Sequence, residues 1–137
     1  MQMQTGSRFF QTRGEKKMKK TIEVNGQAMQ FEATATTDHL MESIFGIRMT
    51  HALNAGENDK FPELVRKLAF VLNKRAELGS WRKVNELTNE DFLDWCDSID
   101  SYAIEDEKVA KEILILYANN KETKVSPKNA ASTQAGY

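Results

Sequence analysis

The chain has 137 residues, and its 19 basic and 20 acidic side chains give a net charge of −1. That balance provides no overall attraction to nucleic acid or to an anionic membrane surface. The single cysteine, Cys96, excludes an internal disulfide framework, and no apolar run approaches the roughly 20 residues of a membrane span. The length suits one domain with a sizeable core.

Both ends are expected to lie outside the folded domain, which the composition places at 18–120. Residues 1–17 are polar and basic, and Met18-Lys19-Lys20 resembles a natural translation start. We interpret 1–17 as a translated leader or a cloning-derived extension, or else as an ordinary disordered arm. Residues 121–137 are rich in Thr, Ser, Asn, Ala and Gly, and they are predicted to form a flexible polar tail.

The first predicted element is a β-hairpin turned by Asn25-Gly26. Asn-Gly between alternating apolar positions is a strong hairpin signal, because both central residues of a type I′ turn need positive φ. A two-residue loop pairs Val24 with Gln27, Ile22 with Met29 and Lys20 with Phe31. This register places Ile22, Val24, Met29 and Phe31 on one face, and Glu23, Ala28, Gln30 and Glu32 on the other. A two-stranded hairpin is marginal alone, so we expect its apolar face to pack on helices.

The first helix is predicted over about 38–54, where Leu40, Ile44 and Ile47 recur at helical spacing. Gly46 lies inside this pattern and either permits close packing or ends the helix early; we favour a single helix. Asn54-Ala55-Gly56 is expected to stop it, and residues 56–59 are expected to form a loop.

Four further helical segments follow. One runs from Pro62 to Gly79, and a short turn over Ser80–Glu86 is expected to point Trp81 and Val84 inward. A near capping box at Thr88–Asp91 starts the next helix, whose apolar members are Phe92, Leu93, Trp95, Cys96 and Ile99. The last helix, about Glu105–Asn119, is expected to face the core with Ile113, Leu116 and Tyr117. The predicted fold class is therefore α+β, mostly α, with the N-terminal hairpin packed on a bundle of about four to five helices.

No residue pattern typical of a catalytic, metal or cofactor site is visible in the sequence. His39 and His51 have no metal-ligand spacing, and Cys96 is expected to be a packing residue because no neighbouring His or basic residue would stabilise a thiolate. We therefore expect no enzymatic activity and no cofactor.

Two charged surfaces are candidates for partner binding. Glu90, Asp91, Asp94, Asp97 and Asp100 form an acidic edge, and Arg66, Lys67, Lys74, Arg75, Arg82 and Lys83 form a basic stripe. Both patterns are typical of solvated faces, and they also suit head-to-tail self-association through opposite charges. The residues selected for partner binding are Arg66, Lys67, Lys74, Trp81, Glu90, Asp94 and Asp97.

The order of these elements resembles the tail assembly chaperones of long-tailed phages and prophages of Gram-positive bacteria. The resemblance covers about Met18 to Asn120. It rests on the opening Met-Lys-Lys-Thr-Ile-Glu-Val-Asn-Gly-Gln, the helix near Leu40–Phe45, the helix rich in Leu, Val and Ala, the Trp-centred acidic segment at Leu87–Ile99, and the final helix before a polar tail.

The resemblance implies a non-enzymatic protein that binds the long tape-measure protein, keeps it soluble and promotes assembly of the tail-tube protein. It also implies self-association, a location in the host bacterial cytoplasm, absence from the mature virion, and no nucleic-acid or membrane partner. The alternatives are another head–tail morphogenesis factor, such as a connector or completion protein, and a small helical DNA-binding regulator.

Overall fold

The structure, a computed structural model, describes residues 18–54 and 61–124. Within those ranges an antiparallel hairpin is followed by six α-helices and one 3₁₀-helix, which confirms the predicted fold class. The elements are β1 (Met18–Val24), β2 (Gln27–Ala33), α1 (Thr37–Phe45), α2 (Met49–Asn54), α3 (Phe61–Leu78), α4 (Trp81–Asn85), α5 (Asn89–Ile99), the 3₁₀-helix (Ser101–Glu105) and α6 (Glu107–Lys124). The expectations for residues 1–17, for the loop over 56–59 and for the tail beyond 124 lie outside the described residues.

The hairpin has the register that the sequence predicts. Val24 pairs with Gln27, Ile22 with Met29 and Lys20 with Phe31. Asn25 has a φ of 54° and Gly26 a φ of 80°, the positive values that a type I′ turn requires. The four apolar side chains on the predicted inner face are all buried, and they form one side of the hydrophobic core.

Glu32 departs from the simple two-face pattern of the hairpin. It lies on the outer face by register, yet it is only 8% exposed. Helix α3 packs along β2, and this contact brings the Arg75 guanidinium to 3.9 Å from the Glu32 carboxylate. A helix beside the strand therefore covers a side chain that strand alternation alone would leave in water.

The single helix expected over 38–54 is wrong, because the chain breaks at Gly46. Gly46 adopts a φ of 71°, and its N–H donates to the carbonyl of Glu42 at 2.9 Å. The N–H of Ile47 then donates to the carbonyl of Met41 at 3.3 Å. This left-handed glycine cap satisfies the end of α1, and α2 starts three residues later.

Local signals mark both ends of α3 and the start of α5. Pro62 lies in the first turn of α3, and Gly79, with a φ of 77°, ends it. The Thr88 side chain accepts from the N–H of Asp91 while the Asp91 carboxylate accepts from the N–H of Thr88, so the predicted capping box forms with Asp in place of Glu. Val84 is buried as expected, whereas Trp81 is only partly buried.

Leu93, one of the apolar members of α5, does not belong to the core. It is 54% exposed, while Phe92 and Trp95 of the same helix are buried. Successive residues on a helix point about 100° apart. Because Phe92 faces the core, Leu93 faces away from it. The buried rings of Phe92 and Trp95 instead pack edge-on against Phe70 of α3, with centroids 5.5 and 5.4 Å away.

The last helix begins two residues later than predicted and extends further. Residues Ser101–Glu105 form the 3₁₀-helix, which buries Ile104. Ile113, Leu116 and Tyr117 face the core as predicted. Helix α6 continues to Lys124, beyond the residue 120 at which the sequence places the end of the domain. None of the helices in the described ranges combines the length and apolarity needed to cross a membrane.

Candidate partner-binding surfaces

The predicted basic stripe is largely neutralised inside the chain. Arg66 forms an ion pair with Glu105, Lys67 lies 3.2 Å from Glu63, and Lys74 lies 3.2 Å from Glu77. The Lys67 ammonium also lies 5.1 Å from the centre of the Phe45 ring. Since paired charges attract a partner less than free ones, Arg66, Lys67 and Lys74 are weak candidates for steering a partner.

Trp81 lies at a separate place, on α4. Its ring meets the edge of the His39 imidazole at 5.8 Å, and the Arg82 guanidinium stacks over it at 5.1 Å. Arg82 and Lys83 are exposed, and neither forms an ion pair with a residue in 18–54 or 61–124. Among the described residues, the unpaired positive charge of the predicted stripe therefore lies on α4 and not on α3.

The predicted acidic edge is the outward face of α5. Glu90, Asp94 and Asp97 are exposed around the side chain of Leu93, and no cation in residues 18–54 or 61–124 forms an ion pair with them. Asp91 is occupied by its cap on Thr88. The seven residues selected from the sequence therefore lie on three helices: three on α3, one on α4 and three on α5.

A groove that the sequence analysis missed lies between the start of α3 and the outward side of α6. Its volume is about 700 Å³, and its lining is mainly apolar: Phe61, Pro62, Val65, Ala110, Leu114, Ile115 and Ala118. Phe61 is 38% exposed and Ile115 is 44% exposed. Glu105, Glu107 and Lys111 are the charged residues of its lining.

A signal for this groove was present in the sequence. Ile115 is two residues from Ile113, which corresponds to about 200° around a helix, so both cannot face the same core. The apolar run from Ile113 to Tyr117 therefore has to leave one large side chain outside. The groove itself depends on α3 lying against α6, a contact between segments distant in sequence.

Polar contacts between α1 and α6 hold the other end of α6. The Tyr117 hydroxyl donates to the Asp38 carboxylate at 2.6 Å, and the Lys121 ammonium donates to the second Asp38 oxygen at 2.8 Å. Burial raises the pKa of Tyr117 above its ordinary value, and the hydrogen bond and negative charge of Asp38 add to this. These contacts fix α6 against α1. Because α6 forms one side of the groove, they also help to fix the position of that side.

In the described part of the chain, no group of three or more His, Cys, Asp or Glu side chains is placed to hold a metal ion. The described surface has three features that could bind a partner: an apolar groove, an acidic face with one exposed leucine, and a small aromatic–basic patch at Trp81. Comparisons of the chain with protein-family models, with curated proteins and with solved structures give no match.

Proposed function

We propose that this protein is a tail assembly chaperone of a long-tailed phage or prophage, acting by contact with the tape-measure protein. The observation that supports the proposal most is the apolar groove between α3 and α6. Apolar grooves of this kind hold the apolar face of an amphipathic helix, which is the form expected of a long helical client. The layout of the chain resembles that family as well.

The groove has features suited to holding a helix weakly. Ala110 and Ala118 leave room for a close approach, and Phe61 and Ile115 present large apolar surface on either side. An open, partly exposed groove buries little area, so one contact is expected to be weak and reversible. Many copies along one client would bind strongly together and still be released singly.

The proposal includes the cellular setting that belongs to this role. The protein binds the tape-measure protein in the host bacterial cytoplasm, keeps it soluble, promotes polymerisation of the tail-tube protein around it, and leaves before the virion matures. A helical contact protein of this kind needs neither a cofactor nor nucleic acid.

The decisive experiment is coexpression with a tape-measure protein from the same genome, with the soluble fraction of that client measured. We expect the wild-type chain to raise the soluble fraction and to copurify with the client. Ile115→Asp should abolish both effects, because a carboxylate in the groove opposes burial of an apolar helix face.

Leu93→Asp is the matched control, since it puts the same charge in place of an exposed aliphatic side chain of the same size outside the groove. A client that is equally insoluble with and without the chain would contradict the chaperone role. Retention of the protein in mature particles would indicate instead a head–tail completion protein.

A further inference from the structure

Among the described residues, the backbone groups at the outer edge of β1 have no hydrogen-bond partner. In a hairpin with a two-residue loop, the residues that flank the turn form a hydrogen-bonded pair, and every second residue thereafter does the same. Val24, Ile22 and Lys20 therefore point their backbone groups toward β2. The N–H and C=O groups of Lys19, Thr21 and Glu23 point the opposite way, away from the sheet.

The side chains at this edge carry complementary charges around a neutral centre. Lys19, Thr21 and Glu23 are all exposed, and they share the face that points away from the core. Within the described ranges, neither Lys19 nor Glu23 takes part in an ion pair. Lys19 and Glu23 are equally distant from Thr21, on opposite sides of it.

We propose that this edge pairs with the same edge of a second copy, antiparallel about a two-fold axis at Thr21. The axis places Lys19 of each copy directly opposite Glu23 of the other, where cross-strand charges attract. The outward groups of the three residues then form about six backbone hydrogen bonds, and the two hairpins join into one four-stranded sheet.

Charge favours this register over a shift toward the turn. A shift by two residues toward the turn would place Thr21 opposite Glu23 and Lys19 opposite Asn25, with no ion pair in either position. Charged edge residues usually prevent edge-to-edge pairing, but here their order makes the strand self-complementary.

The surroundings of the edge favour this occupant. A cavity of about 600 Å³ adjoins β1 and is lined by Glu23, Asn25, Asp106, Lys108 and Glu112 among others, so there is space beside the strand. In the proposed register, the basic start of the second copy's β1 lies beside Glu23, next to this cavity. A contact limited to one strand edge is small, so we expect a concentration-dependent dimer.

Charge reversal tests the register directly in the full-length chain, with the dimer dissociation constant measured by analytical ultracentrifugation. Lys19→Glu places four acidic side chains around the axis, and Glu23→Lys places four basic ones. Each variant alone should dimerise at least tenfold more weakly than the wild type.

An equimolar mixture of these two variants should restore dimerisation, because a heterodimer again sets opposite charges face to face at both positions. Loss of folding in a single variant would not produce rescue by mixing. Lys83→Glu, on α4, is the control charge reversal and should leave the constant unchanged.

Thr21→Pro provides a second, charge-independent test. Proline removes an N–H that points outward, so the β1–β2 ladder keeps its hydrogen bonds while the proposed dimer loses bonds on its axis. We expect a monomer with wild-type circular dichroism. A wild-type chain that stays monomeric near millimolar concentration, a dimer unaffected by Thr21→Pro, or no rescue on mixing would overturn the proposal. It does not depend on the chaperone role, and client solubility does not enter its readout.

Discussion

Asn73 hydrogen-bonds to two other elements through its side-chain amide. Its Oδ1 accepts from the Trp95 indole N–H at 3.0 Å, and its Nδ2 donates to the backbone carbonyl of Gln30 at 2.9 Å. The residue is buried, so both bonds lie in surroundings where a lost partner is not replaced by bulk water. One polar side chain thus joins α3, α5 and β2.

We expect Asn73→Ala to lower the free energy of unfolding by about 2–3 kcal/mol, since it leaves a buried indole N–H and a carbonyl without partners. Urea unfolding followed by circular dichroism measures this. Lys74→Ala, one residue away and partly exposed, should cost less than about 0.5 kcal/mol. Combining Asn73→Ala with Trp95→Phe should give less than the sum of the single effects. Equal losses for Asn73→Ala and Lys74→Ala would contradict this assignment.

Tyr117 makes stability depend on alkaline pH. Its folded-state pKa is raised, so the folded chain holds this proton more tightly than the unfolded chain. The contribution is fully present below the unfolded tyrosine pKa of about 10 and is lost as pH rises beyond it. Tyr117→Phe removes the titrating group while it keeps the ring.

The wild-type chain should therefore lose stability more steeply than Tyr117→Phe as pH rises above about 10. Urea unfolding of both proteins from pH 7 to 11.5 gives the comparison, and the difference between them cancels the titration of all other groups. Parallel pH profiles for the two proteins would show that Tyr117 ionises equally in both states.

At the scale of elements, Gly46 decides whether residues 37–54 form one helix or two. A glycine inside a helix costs stability relative to alanine, whereas a glycine with positive φ is favoured over alanine. The substitution Gly46→Ala should therefore raise stability if the helix is continuous and lower stability if Gly46 ends the helix.

We expect Gly46→Ala to destabilise the protein by about 1 kcal/mol, because alanine is strained at a φ of 71° even though a Cβ there would meet no neighbour. Thermal unfolding measures the effect. Ser43→Ala, at an exposed position inside α1, should instead stabilise by a few tenths of a kcal/mol. A gain in stability from Gly46→Ala would indicate a continuous helix.

Features specified by neighbouring residues could be predicted from the sequence. The Asn25-Gly26 turn determined the strand register, and the side chains of Thr88 and Asp91 determined the start of α5, because both act over a few residues. Gly46 showed the limit: the same residue fits a helix interior or a helix end, and its neighbours do not distinguish the two.

Features that depend on distant residues could not be predicted. Arg66 was selected as a free charge, yet its partner Glu105 lies 39 positions away in the chain. The burial of Glu32 depends on α3 lying beside β2, and the groove depends on α3 lying against α6. Charge patterns alone therefore overstated the basic surface and left out the apolar one.

At the scale of the whole molecule, hairpin and helices share one core. Phe31 of β2 is fully buried in the same cluster as Leu68 of α3 and Ile113 of α6. Helix α6 contacts both strands, and Lys20 of β1 lies 3.7 Å from Glu112 of α6. The hairpin is therefore expected to unfold together with the helices.

Phe31→Ala should destabilise the protein by about 3–5 kcal/mol, the usual cost of a cavity left by a buried phenylalanine. Circular dichroism and tryptophan fluorescence should shift to the same lower urea midpoint, because the strand and the helices form one cooperative unit. Tyr102→Ala is the control, since that ring is exposed and leaves no cavity. Two separate transitions in the wild-type chain would contradict the shared core.

The contacts of Asp38 with Tyr117 and Lys121 also bear on how the chain folds during synthesis. The ribosome releases α1 some 79 residues before Tyr117, the nearer of these partners, and Lys20 likewise has to wait for Glu112. Until α6 has been synthesised, the apolar face of the hairpin lacks one of the helices that cover it. The fold should therefore be completed only once α6 has been synthesised, and a truncated product that lacks α6 should be more prone to aggregation.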